Sequence, residues 1–311
     1  MTSPQPLRIV SLLSSATETA CALGLAEQIV GISHECDTPP EILDRPRLSS
    51  TRVDPRQPSA AIDGQVRSLV RGALSIYDVD EERLAQLAPD LILTQDHCAV
   101  CAVTLDDVEV ACRRLTGGDA RVVSTCPVDL DGIRADFRRI AGAAGVPERG
   151  EALVARFDAQ LDEVRRRVAG GPSVRVALIE WIDPPMIAGG WMPEIARIAG
   201  ARPILLDEPG HFLTVDWEQI AQEDPDVVVV MPCGFDVQRT LDELDGSLGA
   251  ATLRGLRATR EGRTFAVDGN VFFNRPGPRI AESAEILAAA CHPARVAAAG
   301  RLRRWPDRSA P

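Results

Sequence analysis

Lysine is missing from this chain: all 34 basic residues are arginines. We read this as compositional bias. It goes together with the absence of a Gly-Lys-Ser/Thr phosphate loop, and there is no Gly-x-Ser-x-Gly nucleophile elbow either. Carboxylates do sit near strand ends, at Asp37, Asp96, Asp183 and Asp268. Such aspartates usually cap helices or bond backbone amides, so the sequence gives little support to catalysis. Aromatic residues make up only 4% of the chain, with a single tyrosine. No apolar run approaches the roughly 20 residues that span a bilayer. A net charge of −11 argues against a nucleic-acid footprint. No secretory signal is recognisable before the strand-like run that starts at Leu7. With eight cysteines this points to a reducing, cytoplasmic location, or to the periplasm or cell surface if a leader is missing.

What is present is ordinary for a two-domain protein of 311 residues, with 45% apolar and 25% charged residues. The stretch from Pro147 to Val168 organises the rest. Leu153, Phe157, Leu161, Val164 and Val168 recur every three or four positions, the spacing of one helix face. Pro147 suits a first turn, Glu148 and Glu151 suit the positive end, and Arg165, Arg166 and Arg167 suit the negative end before Gly170-Gly171-Pro172 stops the helix. On either side, short apolar strands alternate with helices. The expected fold is therefore α/β: two Rossmann-like lobes with mostly parallel sheets, joined by a single long helix. The boundaries read as an N-terminal lobe at 1–146, the connecting helix at 147–170, a C-terminal lobe at 171–295 and a loose tail at 296–311.

The lobes carry a repeat. Asp80, Glu82, Ala85, Gln86, Pro89 and Asp90 reappear as Asp216, Glu218, Ala221, Gln222, Pro225 and Asp226 at a constant offset of 136. Each copy runs into a buried-strand signature, Leu91-Ile92-Leu93 or Val227-Val228-Val229-Val230. Duplication explains this, although helix–Pro–strand units are common in their own right.

Ligands of parallel sheets bind outside the carboxyl ends of the strands. That rule selects Ser14 and Ser15, His34 and Cys36, Asp96 to Cys101, Cys126, Trp181, His211, Cys233, Phe235, and Phe272 to Arg275. Ser14 and Ser15 open a helix, where hydroxyls cap the backbone or bind an anion. Cys98 and Cys101 form a Cys-x-x-Cys pair that, with Cys36 and Cys126, makes a possible four-thiolate set for zinc or an iron–sulfur cluster. The same pair suits a reversible disulfide, and free thiols lining a cleft remain an alternative. His34, His97 or a thiol could also approach a ligand's metal axially. Cys21, Cys112 and Cys291 fall within helices and read as core.

Several of these segments resemble a known family. Val10-Ser11-Leu12, Ser15-Ala16-Thr17-Glu18, Gly31-Ile32-Ser33, Ala88-Pro89-Asp90-Leu91-Ile92 and Asn274-Arg275-Pro276-Gly277-Pro278-Arg279 look like the cobalamin- and siderophore-binding proteins of ABC importers, most of all the cobalamin-binding branch. The resemblance covers residues 7–291 and implies the class III periplasmic-binding-protein fold. It implies a monomer that binds cobalamin or another corrinoid between its lobes, as the substrate-binding component of an ABC uptake system or a cytoplasmic relative of one. Tyr77, Trp181, Trp191, Phe235 and Phe272 would grip the macrocycle, with Ser14, Ser15 and Asp96 beside them. Glu82 and Glu218 match the exposed glutamates that dock on permease arginines. The competing expectation is a cytoplasmic metal- or iron–sulfur-binding protein that uses the cysteines on the same scaffold.

Overall fold

The computed structural model describes residues 6–71, 77–95 and 120–306. They form two compact units. The first comprises Met1–Asp54, Gly64–Pro127 and Asp131–Arg156, and the second Pro55–Asp63, Val128–Leu130 and Phe157–Pro311.

The first unit is built on strands β1 (Ile9–Ser11) and β2 (Ile29–Ile32), with β3 (Ser49–Thr51) and β4 (Tyr77–Val79) forming a separate antiparallel pair. With β5 (Leu91–Gln95) and β6 (Arg121–Thr125), the parallel sheet has the order β2-β1-β5-β6. Ile9, Val10, Leu91, Ile92 and Leu93 are all within 1% of complete burial, as expected for strands covered on both faces. The helix Leu130–Ala143 buries Ile133, Phe137 and Ile140. Gly150 permits a close approach to it, since a Cβ there would lie 2.7 Å from that of Ala141.

The helix Pro147–Val168 forms with the bounds its apolar pattern gives, and its five patterned apolar residues are at most 5% exposed. Its first turns belong to the first unit and its remainder, from Phe157, to the second.

The second unit contains β7 (Val174–Trp181), β8 (Met186–Ile187), β9 (Ala201–Pro203), β10 (Leu213–Thr214), β11 (Val227–Val230), β12 (Thr264–Ala266) and β13 (Arg303–Arg304). Their order is β10-β8-β7-β11-β12-β13, with β9 also paired to β7. The four valines of β11 are fully buried at the centre, between parallel β7 and β12.

Both units repeat one hydrogen-bonded motif. Arg8 donates its backbone N–H to Asp90 Oδ2 at 2.8 Å, and its side chain to the Leu87 carbonyl at 2.9 Å. Arg175 donates in the same way to Asp226 Oδ2 at 2.8 Å and to the Glu223 carbonyl. Asp80 and Asp216 begin the two repeat helices, and Ala88 and Asp224 follow them with the same φ of 40°.

Two expectations need correction. The contiguous lobe boundaries give way to units that exchange short segments, because Ser59 donates its N–H to Glu243 Oε1 at 2.7 Å and Arg239 donates to the Gln57 carbonyl at 3.0 Å. The tail is not loose through residue 306: β13 pairs with β12 and Trp305 is 2% exposed in the core of the second unit.

Candidate functional site

In the first unit the strand-end chemistry gathers after β2. Arg47 Nη1 donates to the carbonyls of Ser33, His34 and Cys36 at 3.1, 2.9 and 3.0 Å, closing that turn around one guanidinium. His34 Nδ1 lies 2.7 Å from Ser49 Oγ, and the His34 ring stands 5.4 Å from that of Tyr77. Tyr77 donates its hydroxyl to Glu35 Oε1 at 3.1 Å. Burial lowers the His34 pKa, the Glu35 carboxylate opposes this, and Arg47 adds to it.

Ser14 and Ser15 are 5% and 2% exposed at the start of the helix Ser14–Ala22. Neither caps it, since the N-cap position falls on Leu13 and carries no side-chain hydrogen bond. Cys36 is fully buried with Sγ 3.1 Å from Thr17 Oγ1, whereas Cys126 is exposed. Asp96, His97, Cys98, Cys101 and Cys112 lie outside the described residues. Among the described residues, no group of three or more His, Cys, Asp or Glu side chains is placed to hold a metal ion.

In the second unit, the turns after β7, β11 and β12 converge. Trp181 stands edge-on to Phe235, and the Arg239 guanidinium lies 3.6 Å from the Phe235 ring centroid. Phe235 is itself only 2% exposed, so it backs Trp181 rather than presenting a face of its own. Asn274 Nδ2 ties the Met231 and Gly269 carbonyls at 2.9 and 2.8 Å. Position 269 must be glycine, because a Cβ there would come within 2.6 Å of the Met231 carbonyl group. Phe272 is half-buried beneath Arg279 and Arg301, whose guanidinium carbons lie 4.8 and 5.2 Å from its centroid. Trp191 spends its indole N–H on the Phe273 carbonyl at 3.1 Å. Asp268 accepts from the Val271 N–H at 2.8 Å, and its pKa is raised, chiefly by burial.

Glu82 and Glu218 are both exposed in the first turn of their helices, two residues after the aspartates that precede them. A recess of about 250 Å³ elsewhere in the first unit is bordered by Ala22, Leu23, Gly24, Arg149, Ala152 and Arg156. There Arg156 donates to the Ala22 carbonyl at the end of the helix Ser14–Ala22 and Arg149 to the Leu23 and Gly24 carbonyls just beyond it, a structural role.

The sequence reading missed Ser49, Arg47 and Arg239. Ser49 lies on an antiparallel strand, Arg47 just before it and Arg239 near the start of the helix Val237–Gly246, so none stands at the carboxyl end of a parallel strand and the folded contacts reveal them.

The model of a family described as periplasmic binding protein matches residues 9–271. The chain belongs to this family. Its members are substrate-binding proteins of transport systems, which are not enzymes, and the fold is that of the class III periplasmic binding proteins. The vitamin B12-binding protein of Vibrio cholerae is 23% identical over 281 residues, 89% of this chain and 86% of that protein. An ABC transporter substrate-binding lipoprotein of Bacillus subtilis is 22% identical over 299 residues, 93% of this chain and 81% of its own length. The crystal structure of a periplasmic heme-binding protein from Pseudomonas aeruginosa matches with a TM-score of 0.71 at 21% identity, covering 96% of this chain and 98% of that one. These periplasmic and lipoprotein relatives lend no support to the cytoplasmic expectation. No described helix is long and apolar enough to cross a membrane.

Proposed function

We propose that this periplasmic binding protein captures a corrinoid, cobalamin or a close relative, reversibly and without chemical change, and delivers it to an ABC permease. The observation that carries this reading is the aromatic group at the strand ends of the second unit, Trp181 braced by Phe235, with Phe272 on the turn after β12. A large flat macrocycle offers much apolar area to such side chains, each of which can bury on the order of 150–250 Å². Trp191 completes the second unit's set, oriented by a hydrogen bond through its indole N–H; in the first unit Tyr77 is the proposed aromatic contact, held through its hydroxyl. The likeness to a vitamin B12-binding protein supports the same ligand class.

Heme is the second reading, and one observation favours it. Arg239, Arg279 and Arg301 lie over the aromatic rings, with Arg279 and Arg301 also paired to Glu282 and Glu285, so guanidinium groups border the platform. Carboxylate-bearing macrocycles gain from that charge, whereas the amide-bearing rim of a corrinoid does not. Parallel titrations with cyanocobalamin and hemin, read by tryptophan quenching, decide between them. Tighter binding of cyanocobalamin supports the first reading, and tighter binding of hemin transfers the proposal to the second.

Glu82 and Glu218 are the proposed permease contacts. They occupy equivalent places in the two repeats, which suits a partner offering arginines in symmetric positions.

A further inference from the structure

Phe272 belongs to the second unit's proposed platform, and two guanidiniums hold its ring. That of Arg279 lies 4.8 Å from the ring centroid and that of Arg301 lies 5.2 Å from it. Two like charges converging on one ring repel each other unless an opposite charge stands between them. Glu282 supplies it, with its carboxylate 3.0 Å from Arg301 Nη2 and 3.6 Å from Arg279 Nε. This glutamate sits in the first turn of the helix Ile280–Cys291, where the helix dipole also favours a carboxylate. The Phe272 carbonyl accepts from the Ser283 hydroxyl of the same helix at 2.9 Å. The helix thus fixes the backbone at 272, and the two arginines fix the ring.

Arg279 comes from the loop that leads into this helix, but Arg301 arrives from beyond it. After the helix the chain is anchored by Val296, 1% exposed, and by Arg295, which donates to the Ala169 and Gly170 carbonyls at 2.7 and 3.2 Å. Ala299 and Gly300 then take φ values of 47° and 75°, and Arg301 donates its N–H to the Ala298 carbonyl at 3.0 Å. Two consecutive positive φ values at the centre of such a turn reverse the chain tightly. The returning segment becomes β13, whose Arg303 and Arg304 pair with Ala266 and Phe265 of β12. Trp305 fastens it. Its backbone N–H donates to the Thr264 carbonyl at 2.9 Å, its indole N–H to Asp245 Oδ1 at 3.1 Å, and its ring is buried in the core. Between Val296 and Trp305 no residue is buried, so the excursion is held at its two ends.

We infer that the segment from Ala298 to Trp305 is a strap that serves the binding site, with Arg301 as a positioning residue that holds the Phe272 ring in its binding orientation. The inference rests on the macrocycle reading above, in which Phe272 touches the ligand. Glu282 and Glu285 take up the charge of Arg301, so its effect reaches the ligand through the ring and not through a ligand carboxylate.

The test is a double-mutant cycle of Arg301→Ala and Phe272→Ala in the full chain, titrated with cyanocobalamin and with hemin and read by tryptophan quenching. Phe272→Ala is expected to weaken binding about tenfold. Arg301→Ala is expected to weaken it about three- to fivefold, the loss of one cation–π contact, and by the same factor for each macrocycle that binds. In the Phe272→Ala background it should cause no further loss, a result that general destabilisation does not produce. Trp305→Ala, which unfastens the strap, should reproduce the Arg301→Ala weakening and add nothing to it. Unchanged affinity in Arg301→Ala or in a folded Trp305→Ala, or an equal Arg301→Ala loss with and without Phe272, overturns the inference and leaves the macrocycle reading standing. So does a loss confined to hemin when both macrocycles bind, since Arg301 would then meet the ligand's carboxylates directly. Wild-type binding that Phe272→Ala leaves unchanged removes Phe272 from the platform, and the strap's role with it. No wild-type quenching by either macrocycle removes the reading itself.

Discussion

Trp181 meets Phe235 edge-on, with ring centroids 5.4 Å apart and planes at 61°. The buried ring fixes the half-buried one, so the platform is set before a ligand arrives. Trp181→Ala should lower macrocycle affinity by about 10–100-fold, or roughly 1.4–2.8 kcal/mol. Phe235→Leu should act more weakly, through loss of orientation. Quenching titrations of the two variants check the order.

The cysteines should differ sharply in reactivity. Burial pushes the Cys21 and Cys291 thiols up to about 12, and Cys36 is enclosed, whereas Cys126 and Cys233 are exposed. Alkylation of the native protein followed by peptide mapping should modify Cys126 and Cys233 first among these five. Protection of Cys126 that is lifted by a chelator would instead favour the zinc or iron–sulfur alternative.

Asp136 gives a pH-dependent stability. Burial raises its pKa to about 6 despite Arg139 Nη1 at 2.7 Å. The folded state therefore holds this proton at pH values where the unfolded chain has released it. The resulting stabilisation is complete below about pH 4 and is lost as pH rises through about 6. Asp136→Asn should flatten that part of the profile, gaining on the order of 1–2 kcal/mol at pH 7.5 relative to wild type once screening by Arg139 is allowed for. Urea unfolding at several pH values measures it.

Gly249 and Gly246 form a matched stability test. A Cβ at 249 would overlap the buried Trp217 indole, while one at 246 meets nothing within 4 Å. Gly249→Ala should cost about 2 kcal/mol or more through overpacking. Gly246→Ala, at the end of the helix Val237–Gly246, should be neutral or stabilising by up to roughly 1 kcal/mol. Thermal unfolding of the two variants compares them directly.

Charge reversal at both Glu82 and Glu218 should abolish permease association while ligand affinity stays within about twofold. Co-purification with the membrane complex and a parallel quenching titration provide the two readouts. Undiminished association would remove the docking proposal.

Legibility in the sequence followed interaction range. The helix Pro147–Val168 was readable because its apolar face, end charges and stop signals are all local. The two repeats were readable as text, and the matched bonds of Arg8 and Arg175 give that likeness a physical form. The segment around Ser59 was not readable, because its deciding bond is to Glu243, 184 residues away. Trp305 was likewise assigned to a loose tail, since only its pairing strand and the surrounding core hold it in place. At the site, strand-end aromatics were found by rule, but Ser49, Arg47 and Arg239 act through folded contacts that leave no spacing signal.

The most direct test of ligand capture is calorimetric titration of the purified protein with cyanocobalamin, cobinamide and hemin. The account predicts saturable one-to-one binding of at least one of these macrocycles, accompanied by tryptophan quenching that Trp181→Ala diminishes. Neither heat nor quenching with all three would contradict it.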